Sequence, residues 1–303
     1  MSVDTQTRRQ RQAIGLGLIG VIVFGLTMPA TRAAVQELHP LFITLGRALL
    51  ASVLAAITLA VIRPRAPQRR DWGRLFWFAL CSIIGFPLLM TVAMQYAPAS
   101  HAAVVLAVLP LLTGMAGVVV ARERPSLGFW ACGIAGTAVV LVYSLLSGGG
   151  GGSGDLHWAD LLLAASAVSA SAAYALGGEM SHRVGGWEVI SWALVVSAPV
   201  LLVLFLVLAP PINWGASASA WAGFFYVAVF SQFLGFFAWN KGMSLGGIAR
   251  IGQMQLLQPF VTLAAAHVLL GEAIGWMELV FSAIVVALVA LGWRMRVSRS
   301  PRT

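Results

Sequence analysis

The chain has 303 residues, and only 10% of them are charged, where a soluble domain carries about 25%. With 59% hydrophobic residues and a mean hydropathy of +0.89, this excludes an ordinary soluble domain. The net charge of +9 would point to nucleic acid in a soluble protein, but here the basic residues sort by loop, as membrane proteins do.

Apolar runs long enough to cross ~30 Å of hydrocarbon as helices recur along the whole chain. They are too continuous for barrel strands, which alternate over ~10 residues. Hydropathy predicts ten spans: 13–35, 39–62, 72–96, 101–121, 127–146, 157–181, 187–208, 218–244, 248–270 and 275–293. Arg8, Arg9 and Arg11 precede the first, as in a signal peptide, but removing that stretch would spoil the repeat described below, so it reads as a span.

Arg63, Arg65, Arg69, Arg70 and Arg74 lie between spans 2 and 3, Arg122 and Arg124 after span 4, and Arg183 after span 6. Lys241 and Arg250 flank the turn after span 8, and Arg294, Arg296, Arg299 and Arg302 form the tail. The loops 36–39, 97–101, 147–157, 209–219 and 271–275 hold no Lys or Arg. Positive residues mark the cytoplasmic side, so both termini are expected there. The stretch 147–157 carries five consecutive glycines and reads as a flexible outer linker. Its Gly-Ser-Gly-Asp string resembles an intramembrane protease motif, yet no second membrane aspartate accompanies it. Cys81 and Cys132 lie inside spans, as small packing residues rather than a disulfide or metal framework.

The second half echoes the first. A shift of 149 positions carries Pro110 to Pro259, Thr113 to Thr262 and Glu123 to Glu272. Five spans per half is an odd number, so the second copy must enter the membrane from the opposite face. The expected fold is therefore an all-α polytopic membrane protein of ten transmembrane helices in two inverted five-helix repeats. Secondary transporters are commonly built this way, with the substrate near the midplane beside interrupted helices.

Pro110 frees the carbonyl of Leu106, and Pro259 that of Gln255, because each lacks the N–H that would bond four residues back. Such carbonyls need protein or water, so these two prolines are candidate gating or kink positions. Pro29, Pro87 and Pro199 have no repeat partner and read as packed kinks. Gln255, Gln258 and Thr262 share one face of span 9. Gln232, Phe236 and Asn240 follow at four-residue steps on span 8, with Trp239 beside them. Gln95, Thr27 and Tyr174 add polar positions on spans 3, 1 and 6. Amides facing lipid are costly, so the cavity-lining candidates are Gln255, Gln258, Trp239, Asn240, Tyr174, Gln95 and Thr27.

No carboxylate sits in a span centre, and proton-coupled export of cations normally needs one. A neutral or zwitterionic organic substrate follows. Arg47, deep in span 2, could grip a carboxylate; it could also snorkel to the interface or pair with Glu37. Glu123 and Glu272 read as helix-end hydrogen-bonding groups, and His101 and His267 as polar packing. No metal-ligand pair or facing carboxylates suggest an enzyme.

The run Ala93-Met94-Gln95-Tyr96-Ala97-Pro98-Ala99, with Pro110 and Glu123 after it, resembles the first domain of an EamA-like transporter. Trp239-Asn240 through Gly246, Arg250, Gln258-Pro259 and Leu270-Gly271-Glu272 resemble the second. The resemblance covers nearly the whole chain and is specific to the drug/metabolite transporter superfamily. It implies domains at 1–147 and 158–297, joined by the linker 148–157 and followed by a cytoplasmic tail 298–303. It also implies a central cavity lined by spans 1, 3, 4, 6, 8 and 9. The chain looks most like bacterial amino-acid exporters, including the aromatic branch, and lacks the span-1 glutamate of the small multidrug branch.

The expected activity is export of amino acids or similar small metabolites across the bacterial inner membrane by alternating access, as a monomer or weak homodimer with no cofactor. The alternatives are a drug or polyamine exporter and, from another class, a membrane enzyme.

Overall fold

The computed structural model describes residues 3–93, 96, 105–106, 108–146, 158–208, 210–270 and 276–299. Gln95, His101, Glu272, the linker at 148–157 and the side chain of His267 lie outside that description. Among the described residues, six helical stretches are long and apolar enough to cross a membrane: Thr7–Val35, Pro40–Ile62, Arg69–Ala93, Trp158–Met180, Gly186–Leu208 and Ala218–Gly246. Leu109–Ala121, Leu127–Tyr143 and Leu279–Arg294 are shorter apolar helices. The protein is a multi-pass helical membrane protein.

The first stretch comprises α1 (Val3–Gly25) and α2 (Thr27–Val35). Pro29, in α2, has no N–H for the carbonyl of Gly25. That oxygen is instead met by the hydroxyl of Thr262, 2.7 Å away in the other half of the chain. Pro29 is therefore more than a packed kink: the bond it vacates becomes a tie between halves.

α3 (Pro40–Ile62) starts where His39 accepts the N–H of Leu41, with Pro40 at the first turn, and stops at Arg63 in a left-handed conformation. α4 (Trp72–Ala79) runs through a π-helical stretch at Leu80–Gly85 into α5 (Phe86–Ala93). α6 (Leu109–Ala121) and α7 (Leu127–Leu146) complete the first half. The second half holds α8 (Trp158–Met180), α9 (Gly186–Leu208) and α10 (Ala218–Tyr226). A π-helical stretch at Val227–Leu234 then leads to α11 (Gly235–Gly246). α12 (Ile248–Gln253), a 3-10 turn at Met254–Leu257 and α13 (Gln258–Leu270) form the next segment, and α14 (Trp276–Arg294) is the last helix.

The irregularities recur at the spacing of the sequence repeat. A shift of 149 positions carries α6 onto α13 residue for residue, and the π stretch 80–85 into 227–234. A π stretch leaves backbone carbonyls without their usual partners. Those of Cys81 and Ser82 accept Ser169 Oγ at 3.1 Å and Gln232 Nε2 at 3.4 Å, both from the second half.

The described residues are predominantly helical, with one short strand pairing beside the helices. β1 (Glu123–Pro125) and β2 (Val297–Arg299) pair antiparallel, with Arg124 opposite Ser298. Residues Val297–Arg299 are thus strand. Hydropathy carries no signal for so short a polar pairing.

The core crosses both halves. Val21 and Phe24 of the first pack with Trp239, Met243, Ile248, Ile251 and Met254 of the second. Gly20 permits the closest part of this: a Cβ there would sit 2.5 Å from Trp239 Cε3. Large apolar side chains such as Val61, Val119, Leu206 and Val207 face outward, as they must toward lipid.

Candidate functional site

A cavity of about 110 Å³ lies inside the bundle, room for several waters or a small solute. Both halves line it. The first contributes Phe24, Thr27 and Met28, then Arg47, then Ser82, Phe86 and Met90, then Leu106 and Pro110. The second contributes Tyr174, Ser231 and Phe236, then Gln255, Gln258, Pro259 and Thr262.

The polar groups form three sets. In the first, Arg47 is 5% exposed and donates from Nε at 3.1 Å and Nη2 at 2.7 Å to one oxygen, Oε1 of Gln232. Gln232 is held in turn by its bond to the π-stretch carbonyl of Ser82. In the second, Gln255 Nε2 lies 3.5 Å from Thr113 Oγ1, which lies 3.5 Å from Ser171 Oγ. Both contacts sit at the outer limit of a hydrogen bond. Gln255 Oε1 and Gln258 Nε2 are buried with no partner among the described residues. In the third, Thr27 Oγ1 lies 2.9 Å from Ser231 Oγ, and Thr262 ties α13 to Gly25.

The sequence candidates divide. Gln255, Gln258, Tyr174, Thr27, Pro110 and Pro259 all line the cavity. Trp239 and Asn240 do not. Trp239 is fully buried behind Tyr174, ring centroids 5.3 Å apart, and also packs edge-on against Phe24. Asn240 is fully buried and donates to the Gly186 carbonyl at 3.3 Å. The four-residue stripe Gln232–Phe236–Asn240 assumes a regular α-helix throughout. Phe236 meets the cavity, while Asn240, four residues on in the same α-helix, is buried in the core. Gln95 lies outside the described residues.

Arg47 is the residue that sequence reasoning undervalued. It neither snorkels outward nor pairs with Glu37. Glu37 instead accepts the N–H of Ser217 at 2.8 Å and the Ser217 hydroxyl. Those two donors hold its carboxyl below the ordinary carboxylate range. The available signal was an arginine eight residues into an apolar span with no acid within helical reach.

At one end of the bundle, Asp71 and Arg74 of the first half meet Glu179 and Arg183 of the second. Arg183 approaches Asp71 at 2.9 Å and Glu179 at 3.2 Å, and Arg74 approaches Glu179 at 3.2 Å. Both carboxylates are buried. Glu123 accepts the N–H groups of Ile248 and Ala249, each at 2.8 Å, and so caps α12. This is the helix-end role expected of it.

A small cavity inside a membrane bundle, polar at a few points and apolar elsewhere, with interrupted helices around it, can hold a polar solute out of lipid. Comparison with known proteins agrees in kind. The model of the EamA-like transporter family matches residues 11–145 and 157–292. The uncharacterized transporter YdeK of Bacillus subtilis is 42% identical over 279 residues, covering 92% of this chain and 96% of its own. A protein named "Probable terminal-alkyne amino-acid exporter", from Streptantibioticus cattleyicolor, is 26% identical over 286 residues, covering 92% and 93%. One solved crystal structure superposes with a TM-score of 0.79 over 94% of this chain and 98% of that one, at 18% identity, a likeness of fold alone.

Proposed function

The chain belongs to the EamA-like transporter family of the drug/metabolite transporter superfamily, and on that premise we propose that it exports amino acids or similar small zwitterionic metabolites across the bacterial inner membrane. Transport proceeds by alternating access between two inverted five-helix halves, 1–147 and 158–297, in a ten-helix bundle with both termini cytoplasmic. The matched π stretches and the matched prolines support that arrangement.

One observation carries the reading: the cavity is lined from both halves, and two of its glutamines hold polar atoms with no partner among the described residues. A buried, unsatisfied amide costs about 1–3 kcal/mol, which is expected where a solute or a second conformation supplies the missing bond. In this proposal Gln255, Gln258, Thr27 and Tyr174 contact the solute. Trp239 and Asn240 hold Tyr174 and α11 from behind, and Pro110 and Pro259 shape the moving helices. The relative named as an amino-acid exporter supports the substrate class. A drug or polyamine exporter is disfavoured by the buried cation in the lining.

The test is competition in proteoliposomes, with and without a proton gradient. One labelled amino acid is challenged by a panel of unlabelled amino acids and of cationic amines. Competition by amino acids alone supports the reading. Competition by the amines alone would replace it with the cation-exporter alternative.

A further inference from the structure

We propose that Arg47 is the carboxylate anchor of this cavity, so that every transported solute must carry a carboxylate; this rests on the cavity being the solute site. A charge buried in a membrane bundle persists only with a partner. Arg47 is 5% exposed and lines the cavity, yet no carboxylate among the described residues pairs with it. Its side-chain hydrogen-bond partner among the described residues is the neutral amide of Gln232. The acids that lie nearest in sequence or topology are engaged elsewhere. Glu37 is taken by Ser217, and Asp71 and Glu179 by Arg183 and Arg74.

The hydrogen bonds say how the anchor is aimed. Nε and Nη2 converge on a single oxygen, and Gln232 is itself fastened to the carbonyl of Ser82. The guanidinium plane is therefore fixed, while Nη1 has no protein acceptor among the described residues. A planar group with free N–H donors matches a carboxylate, and the pairing is charge-assisted. Gln232 is a positioning residue: it orients the cation without neutralising it. Around the anchor the lining is apolar, with Phe24, Phe86, Met90 and Phe236, which suits the body of an apolar amino acid.

The experiment compares three labelled solutes in counterflow on reconstituted wild type: leucine, 4-methylpentanoate, which lacks the amine, and leucinamide, which lacks the carboxylate. Leucine is expected to exchange at least about tenfold faster than leucinamide. Arg47→Gln should lose leucine exchange by a similar factor, and Arg47→Lys should keep part of it. Leucinamide exchanging as fast as leucine, or Arg47→Gln exchanging leucine at the wild-type rate, overturns the anchor. Exchange of 4-methylpentanoate but not leucine, lost in Arg47→Gln and kept in part by Arg47→Lys, leaves the anchor standing and removes the amino-acid reading. Exchange of neither acid overturns both. The wild-type comparison decides even where a variant fails to fold.

Discussion

Glu123 and Ile248 are joined by a 2.8 Å hydrogen bond from the backbone N–H that opens α12 to the carboxylate that follows α6. The second carboxylate oxygen takes the next N–H, that of Ala249, at the same distance. Gly247 makes the approach possible: its φ is +93°, and a Cβ there would lie 3.2 Å from Glu123 Oε1. One acidic side chain of the first half thus sets the start of the segment that carries Gln255, Gln258 and Pro259.

Glu123→Ala leaves two buried N–H groups without an acceptor. It should lower stability by about 2–3 kcal/mol, as for loss of charge-assisted caps. Thermal unfolding in detergent checks this. Glu123→Gln, which keeps one acceptor, should fall between that variant and wild type.

Gly20→Ala should destabilise by about 1–3 kcal/mol, because the new methyl meets a fully buried indole. Trp239→Phe in the same chain should recover part of the loss, since the smaller ring vacates that space. A double-mutant cycle reads the coupling directly.

Pro29 and Thr262 are expected to be coupled through Gly25. Thr262→Val alone removes the donor to the Gly25 carbonyl and should cost about 1–2 kcal/mol. With Pro29→Ala, residue 29 regains an N–H, so the same Thr262→Val change should be nearly neutral. Equal costs in both backgrounds would mean the hydroxyl does not serve that carbonyl.

The Glu37–Ser217 contact predicts a pH dependence. Glu37's folded-state pKa lies below its ordinary value, through the Ser217 hydroxyl and N–H. The contact therefore stabilises above the ordinary carboxylate pKa and fades as pH falls through the lowered one. Ser217→Ala should move the carboxyl back toward the ordinary range and flatten the stability profile there. Stability measured from neutral pH into the acid range, for both proteins, checks the sign.

Much of this was legible in the residues. Uninterrupted apolar runs mark membrane helices because a bilayer leaves few alternatives. The shift that maps Pro110 onto Pro259 also maps α6 onto α13. Gln255, Gln258, Thr27 and Tyr174 all reach the cavity, in keeping with the cost of turning amides and hydroxyls toward lipid. Asn240 instead donates to the Gly186 carbonyl in the core, which four-residue spacing alone does not separate from the cavity face. The contacts of Arg47, Asp71 and Arg74 are hidden from the sequence for a distant reason. Their partners lie in the other half of the chain, and no local spacing reports a contact across 100 residues or more.

The most direct measurement is saturable counterflow of labelled leucine in proteoliposomes by wild type and Gln258→Leu, with thermal unfolding recorded for both. The account predicts exchange by wild type and a loss of about tenfold or more in the variant, at a melting temperature no lower than that of wild type. Equal exchange by both proteins, or none by wild type, would contradict it.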